Sequence, residues 1–272
     1  MEPPLLPARW GWANIEMTSL IDTPAVLLVG GMGTRLRSLF PSTPKPLASV
    51  GNKSFLELLV RQLRSQGISR LVMCTGYLAD QVESEFGDGH DWDIAIEYSK
   101  ELHPLGTAGA VKLAQQHLGE LSDFLVMNGD SFLEVDFRQL IQFHRGHGGL
   151  VSMAVVGVEN ASRYGTVCLD SGNRVIGFAE KTGSDLPGLI NAGVYVFNRA
   201  IFEHIPETPS SLEKDIFPGL IGQGLYAQTQ HGMFIDIGTP EDYARAQHLC
   251  DRLYEAALSK QHWESEAPTC GK

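Results

Sequence analysis

Short apolar runs of strand length alternate with helically spaced apolar segments through the first 150 residues. The predicted strands cover residues 25–29, 71–75, 94–98 and 124–127. The predicted helices cover residues 55–65, 79–86 and 137–144, together with a helix that follows the loop at 104–110 and ends near residue 118. This alternation predicts an α/β fold: a three-layer, doubly wound sheet that is mixed but mostly parallel.

From residue 150 the pattern changes to strands joined by turns. The predicted strands cover residues 151–158, 165–169, 174–179, 189–197, 225–230 and 233–236, and a helix is expected at 212–220. Thr239 is the predicted N-cap of a last helix, with Pro240 at its first position. We predict one domain at 24–258, with a first half at 24–150 and a second at 151–245, between a flexible extension (1–23) and a polar tail (259–272).

Composition limits the classes of partner. The chain has 272 residues and a net charge of -11, which argues against nucleic acid or an anionic membrane surface as a partner. No apolar run reaches the roughly 18 residues of a membrane span. The four cysteines form no C-x-x-C pair, so we expect reduced thiols and a cytoplasmic location. A homo-oligomer is compatible with the sequence.

A glycine-rich loop follows the first strand and is the strongest candidate for a phosphate site. Glycines allow successive backbone N–H groups to approach an anion closely. Arg35 follows the loop, and Lys45 lies between Pro44 and Pro46, which restrict its backbone. The Walker and dinucleotide patterns both fail here. The loop and two cations suit a triphosphate. The candidate loop residues are Val29, Gly30, Gly31, Met32, Gly33 and Thr34.

Two acids are candidate metal ligands. Asp130 follows the strand at 124–127 in the sequence Asn128-Gly129-Asp130, and Asp236 lies in an apolar strand before a small-residue turn. An acid buried in such a strand requires a cation. Two carboxylates together with phosphate oxygens suit Mg²⁺. The alternative for Asp236 is a purely structural role in capping the following helix.

The stretch at residues 30–50, GGMGTRLRSLFPSTPKPLASV, resembles the signature of the sugar-1-phosphate nucleotidyltransferases. PLGTAG resembles the guanylyltransferase branch. LVMNGDSF, SLEKDIFP and FIDIGTPEDYARAQ together resemble the D-glycero-D-manno-heptose 1-phosphate type, although mannose-1-phosphate guanylyltransferases share most of these segments. The resemblance implies a Rossmann-like fold related to GT-A glycosyltransferases. It also implies transfer of a nucleotidyl group from a nucleoside triphosphate to a sugar 1-phosphate, with pyrophosphate released.

The same resemblance implies roles for individual residues. Arg35 and Lys45 would be catalytic, and Asp130 and Asp236 would bind Mg²⁺. Relatives that take pyrimidine nucleotides carry glutamine at the position of Glu101. A carboxylate accepts from both N1–H and N2–H₂ of guanine, which favours GTP. The alternative is that Glu101 faces solvent and backbone groups select the base. The implied base-binding residues are Glu101, Pro104, Leu105, Gly106 and Thr107.

The second half resembles the sugar-binding part of the family, with Thr182 in place of the proline of a Glu-Lys-Pro motif. Structural roles are the alternatives there: Tyr164 can be a core residue, and Glu180 with Lys181 a surface pair. The sugar-binding candidates are Asn128, Tyr164, Gly165, Glu180, Lys181 and Asn191.

Other functions compete with heptose 1-phosphate guanylyl transfer. The first group contains mannose-1-phosphate guanylyltransferases and glucose-1-phosphate thymidylyl- or uridylyltransferases. A glycosyltransferase would carry an Asp-x-Asp motif, whereas Ser131 and Phe132 follow Asp130 here. A non-catalytic subunit that senses nucleotide sugars would be expected to lack Arg35, Lys45 or one of the acids, and all are present.

Overall fold

The computed structural model describes residues 23–162, 164–179 and 186–259. The strands are β1 (Ala25–Leu28), β2 (Ser49–Val50), β3 (Lys53–Ser54), β4 (Arg70–Thr75), β5 (Ala95–Lys100), β6 (Asp123–Asn128), β7 (Ser131–Leu133), β8 (Val151–Val158), β9 (Thr166–Leu169), β10 (Val175–Ala179), β11 (Gly188–Asn198), β12 (Leu225–Gln230) and β13 (Phe234–Asp236). The α-helices are α1 (Phe55–Ser65), α2 (Ala79–Phe86), α3 (Gly106–Ala114), α4 (Phe137–His147), α5 (Pro240–His248) and α6 (Cys250–Leu258).

Nine strands of the described residues form one mixed sheet. Strands β5, β4, β1 and β6 are parallel neighbours in that order. Strand β11 is antiparallel to β6 and β8, and β12 is parallel to β8. Strand β11 also pairs with β9, which forms an antiparallel pair with β10. The predicted α/β fold is therefore confirmed.

Apolar side chains cover both faces of the sheet and produce the three layers. Leu27 of β1 packs in a cluster with residues of α1, α4 and α6. Val26, its neighbour in the same strand, packs in the opposite cluster with residues of α3. Because successive strand residues point to opposite faces, a strand buried on both sides must be apolar throughout. This explains the continuous apolar runs in the sequence.

Side-chain hydroxyls cap the starts of α1 and α5, and the cap at Thr239 confirms the prediction. The Ser54 hydroxyl accepts a 3.2 Å bond from Glu57 N at the start of α1, and the Thr239 hydroxyl accepts a 3.3 Å bond from Asp242 N at the start of α5. The predicted helix at 212–220 is instead a π-turn (Leu212–Ile216) followed by a 3₁₀ turn (Phe217–Leu220). Pro218, which lacks a backbone N–H, is incompatible with an α-helix continuing through this position.

Some predictions fall outside this description. The predicted extension and tail lie outside the described residues, except for Thr23 and Ser259. Strands β2, β3 and β7 and helix α6 were not predicted. Among the described residues, no helix combines the length and apolarity needed to cross a membrane.

Candidate active site

A cleft of about 610 Å³ opens at the carboxyl edge of β1, β4 and β6, where ligands of doubly wound sheets bind. Its lining includes most of the residues predicted for the nucleotide and the chemistry. Those residues are Val29, Gly30, Gly31, Met32, Gly33, Thr34, Arg35, Lys45, Glu101, Pro104, Gly106, Thr107, Asn128 and Asp130. The lining also includes Tyr77, Leu102 and His103, which were not predicted.

The glycine loop packs directly on the segment that carries Lys45. Gly33 has a φ of 55°, a left-handed conformation that favours glycine. A Cβ added at Gly33 would lie 2.7 Å from the Cβ of Lys45. A Cβ at Gly30 would lie 3.2 Å from Oε1 of Glu101 on the opposite wall. The loop glycines therefore bring the loop close to both Lys45 and Glu101.

Lys45 is aimed into the cleft at Asp130. The lysine begins a 3₁₀ turn (Lys45–Leu47) directly after Pro44, and its side chain is 10% exposed. Its Nζ lies 2.5 Å from Oδ2 of Asp130. A cation so shielded from water interacts more strongly with nearby charges than one on the surface.

The two predicted metal-binding acids lie side by side on a small antiparallel ribbon. Strand β13 pairs with β7 so that Asp236 is opposite Ser131. The Ser131 hydroxyl is 3.2 Å from Oδ2 of Asp236 and 3.3 Å from Oδ1 of Asp130. Gly238 N donates to Oδ1 of Asp236 at 2.6 Å. The ribbon brings together acids that are far apart in sequence, with Ser131 between them.

The charge balance at this ribbon favours binding of a cation. Burial raises the pKa of Asp236, the negative charge of Asp130 raises it further, and the positive charge of Lys45 lowers it. Two carboxylates that repel one another across a shared hydroxyl are suitable ligands for a hard divalent cation, which would relieve the repulsion. No group of three or more His, Cys, Asp or Glu side chains with metal-binding geometry occurs among the described residues.

Glu101 lies on the opposite wall of the cleft. Its Oε2 accepts a 2.8 Å bond from Leu105 N, and burial raises the pKa of its carboxyl group. Glu101 is half-buried, so it does not simply face solvent, as the alternative interpretation expected. One carboxylate oxygen closes the turn at 101–105, and Oε1 faces the glycine loop at Gly30.

Contacts with residues 210–213 hold the turn that follows Glu101 in place. The Thr107 hydroxyl donates to Glu213 at 2.9 Å and accepts from Leu212 N at 2.8 Å. Gly106 has a φ of 74°, and a Cβ there would lie 2.4 Å from the carbonyl oxygen of Ser210. Packing within the protein therefore explains glycine and threonine at these positions without a ligand.

Among the sugar-binding candidates that the structure describes, Asn128 lines this cleft, whereas Tyr164, Gly165 and Asn191 do not. Asn191 donates to Tyr195 Oη at 2.8 Å and accepts from Gly193 N at 3.0 Å, which stabilises a bulge in β11. Tyr164 contacts Phe234 edge-on, and Gly165 is exposed. Glu180 and Lys181 lie outside the described residues.

Comparison with known proteins identifies the family. The family model described as Nucleotidyl transferase matches residues 24–252. The chain belongs to the nucleotidyl transferase family. The match spans both the glycine loop and the acid ribbon.

Named relatives and a solved structure agree with this membership. The mannose-1-phosphate guanylyltransferase catalytic subunit beta of Drosophila pseudoobscura pseudoobscura is 39% identical over 242 residues, which cover 88% of this chain and 64% of the relative. The mannose-1-phosphate guanylyltransferase of Mycobacterium tuberculosis is 38% identical over 225 residues, covering 81% and 62%. This chain thus spans slightly less than two thirds of these relatives. HddC from Yersinia pseudotuberculosis, solved in complex with GMP-PN, is 33% identical with a TM-score of 0.75, covering 83% of this chain and 98% of HddC.

Proposed function

We propose that this protein is a sugar-1-phosphate guanylyltransferase, which joins GTP and a sugar 1-phosphate to give a GDP-sugar and pyrophosphate. The geometry of Lys45 carries the proposal: a lysine with a side chain only 10% exposed lies 2.5 Å from an acid beside a glycine loop. Family membership and the guanylyltransferase names of the relatives support it. We also propose a cytoplasmic location, in which the thiols of Cys74, Cys168 and Cys250 remain free.

The chemistry requires positioning and charge neutralisation more than proton transfer. An oxygen of the sugar phosphate, already anionic, attacks the α-phosphorus of GTP, and pyrophosphate leaves. We assign Lys45 to bridge the α-phosphate and the incoming sugar phosphate, since it lines the cleft between the glycine loop and Asp130. Arg35 lines the same cleft and would bind the triphosphate together with backbone N–H groups of the glycine loop at 30–34.

Asp130 and Asp236 fit the role of ligands for Mg²⁺. Both acids contact the Ser131 hydroxyl, so they lie close enough to share one ion. The ion would neutralise charge that develops on the phosphate oxygens. Water and phosphate oxygens would supply the remaining ligands of the ion, because Mg²⁺ commonly takes few protein ligands.

For the base, we propose that Glu101 favours guanine. The carboxylate can accept from the adjacent N1–H and N2–H₂ donors of guanine, whereas uracil and thymine present a donor flanked by acceptors. Pro104, Leu105, Gly106 and Thr107 would then contact the base through the turn that Glu101 and Ser210 hold in place.

For the sugar, D-glycero-α-D-manno-heptose 1-phosphate and mannose 1-phosphate are the two candidates. The sequence resemblance favours heptose, and the named relatives in Drosophila and Mycobacterium favour mannose. The proposed sugar contacts are Asn128, Tyr164, Gly165, Glu180, Lys181 and Asn191. Of these, Asn128 has a buried Oδ1 that accepts no hydrogen bond from the residues described, which suits a ligand donor.

Pyrophosphate release tests this function directly. We expect release with Mg²⁺, GTP and either heptose or mannose 1-phosphate, and little with ATP, CTP, UTP or dTTP. Release with UTP or dTTP and glucose 1-phosphate would keep the reaction but contradict the role of Glu101. No release with any pair would reject the enzyme and favour a nucleotide-sugar-sensing protein.

Replacing Lys45 tests the observation that carries the proposal. Lys45→Ala removes the cation that contacts Asp130, and we expect kcat to fall by at least about 10²-fold, since charge stabilisation in a shielded site is worth several kcal/mol. Lys53→Ala is the control, because Lys53 pairs with Glu57 at the start of α1 and lies outside the cleft lining. Equal rates for the Lys45 variant and the unmodified enzyme would contradict the mechanism.

A further inference from the structure

Helix α5 connects two parts of the candidate site that are distant in sequence. The helix begins at Pro240, shortly after Asp236. Arg245 Nη2 donates to the Phe234 carbonyl oxygen at 2.8 Å, which ties the helix back to the strand that carries Asp236. Helix α5 and strand β13 therefore form one local unit.

The opposite side of α5 binds the β2–β3 turn, which follows the Lys45 segment. Tyr243 Oη donates to the Ser49 carbonyl oxygen at 2.6 Å. Gln247 Oε1 accepts from Gly51 N at 3.0 Å, and its Nε2 donates both to the Ser49 carbonyl and to Tyr243 Oη. The donors and acceptors match: the tyrosine gives its one proton to Ser49 and receives one from Gln247.

A short and rigid segment connects this turn to Lys45. Leu47 N donates to the Pro44 carbonyl at 2.9 Å, and Ala48 N donates to the Lys45 carbonyl at 3.0 Å. Pro44 and Pro46 restrict the backbone on either side of the lysine. A displacement of Ser49 would therefore shift the 3₁₀ turn that contains Lys45.

The backbone groups of the β2–β3 turn do not need Tyr243 and Gln247 as hydrogen-bond partners. Ser49 and Gly51 are exposed, so water could bond their backbone groups in place of Tyr243 and Gln247. Bonds of this kind contribute about 1 kcal/mol or less to stability. Two side chains that hold the same turn at its carbonyl and its N–H provide a fixed position, which water cannot provide.

We propose that Tyr243 and Gln247 are positioning residues that fix the Lys45 segment relative to the acids Asp130 and Asp236. Helix α5 acts as a strut: Arg245 holds its one side to β13, and the Tyr243–Gln247 pair holds its other side to the β2–β3 turn. The kinetic part of this proposal, that the two residues affect kcat, rests on the nucleotidyl transfer proposed above. The structural part, that helix α5 holds the Lys45 segment in place, does not rest on it.

Gln247→Leu tests the kinetic part, because leucine has a similar volume and removes every bond of the amide. We expect kcat to fall about tenfold with KM for GTP changed less than about threefold, since misplacing a catalytic group affects the transition state more than binding. Tyr243→Phe, which keeps the ring contact with Phe40, should give a smaller loss of kcat in the same direction. An unchanged kcat in both variants would overturn the proposal.

Gln66→Leu is the matched control. Gln66 makes the same pair of bonds elsewhere: its Nε2 donates to the Val135 carbonyl at 2.8 Å, and its Oε1 accepts from Phe137 N at 2.9 Å. We expect a similar loss of thermal stability and an unchanged kcat. If Gln66→Leu and Gln247→Leu lower kcat equally, the effect is general destabilisation and the proposal is wrong.

A double-mutant cycle tests whether the effect passes through Lys45. In a Lys45→Ala background, adding Gln247→Leu should change the residual rate less than about twofold, because residues that act through one another are not additive. A further tenfold loss there would show that Gln247 acts independently of Lys45 and would overturn the proposal.

Hydrogen exchange tests the structural part without turnover. In Gln247→Leu, the amides of Gly51 and Ala48 should both exchange about tenfold faster than in Gln66→Leu. Faster exchange at Gly51 alone would show that the turn loosens without reaching the Lys45 segment, which contradicts the proposal. An unmodified protein that releases no pyrophosphate would reject the proposed function, and exchange would still decide whether the strut exists.

Discussion

At the scale of single residues, Asp236 is a proposed Mg²⁺ ligand in a position that destabilises its charged form. Burial and the neighbouring Asp130 both raise its pKa above the ordinary value of 3.8. A raised pKa means that the folded protein holds the proton more tightly than the unfolded chain does. The resulting penalty on folding is absent below about pH 3.8, grows as the pH rises through the folded-state pKa, and is fully present above it.

We therefore expect Asp236→Asn to stabilise the protein at neutral pH while abolishing turnover. The amide keeps an acceptor for Gly238 N and removes the repulsion with Asp130, so the free energy of unfolding should rise by about 1 kcal/mol. Chemical denaturation at several pH values measures the change, and the gain should shrink as the pH falls towards 3.8. A variant less stable than the unmodified protein at pH 7 would contradict this account of the acid pair.

Lys45 and Glu101 show how far residue-level prediction reaches. The flanking prolines and the glycine loop predict a fixed lysine near phosphates, and the structure places Lys45 in the cleft. Its contact with Asp130 could not be predicted, because it depends on how β6 and the loop meet in space. The bond between Glu101 and Leu105 N was likewise not predicted, because it depends on how the loop after β5 folds back on that side chain.

At the scale of elements, the glycine loop and the Lys45 turn form one packed unit. Gly33→Ala places a Cβ 2.7 Å from the Cβ of Lys45 and forces alanine into a φ of 55°. We expect a loss of about 1–2 kcal/mol of stability and a fall in kcat, because the lysine must move to make room. Pyrophosphate release and thermal unfolding measure the two effects.

Gly146→Ala is the control for this glycine substitution. Gly146 lies inside α4, where an added Cβ meets no atom within 4 Å and φ is not positive. Alanine there should raise stability by up to about 1 kcal/mol and leave kcat unchanged. If Gly33→Ala behaves like Gly146→Ala, the close approach of the loop to Lys45 has no functional consequence.

The acid ribbon marks the limit of prediction for elements. The longer strands agree with the predicted ones to within two residues at each end, and those with four apolar residues in succession, such as β1 and β6, give the clearest signal. Strand β7 has only three residues and directly follows Asp130, so no periodicity reveals it. Without β7, the pairing of Asp236 with Ser131 cannot be derived, although each acid was predicted separately.

At the scale of the whole molecule, the order of the strands joins the two predicted halves. Strand β11, from the second half, pairs with β6 of the first half and with β8 of the second. Leu27 of β1 and Val194 of β11 belong to the same buried cluster. The strand–helix alternation predicts the parallel part of this sheet. The position of β11 was not predicted, because strand order depends on contacts between distant segments.

Because the sheet continues from one half to the other, we expect a single cooperative unfolding transition, and we expect Mg²⁺ with GTP to stabilise both halves together. At a GTP concentration about 100-fold above its Kd, binding should add about 2.7 kcal/mol to the free energy of unfolding. Circular dichroism should then show one transition that moves to higher temperature. Hydrogen exchange should slow in β12, which lies in the second half, as well as in β4, which lies in the first. Two separate transitions, or protection confined to β4, would mean that the halves unfold independently and that the shared strand β11 does not couple them.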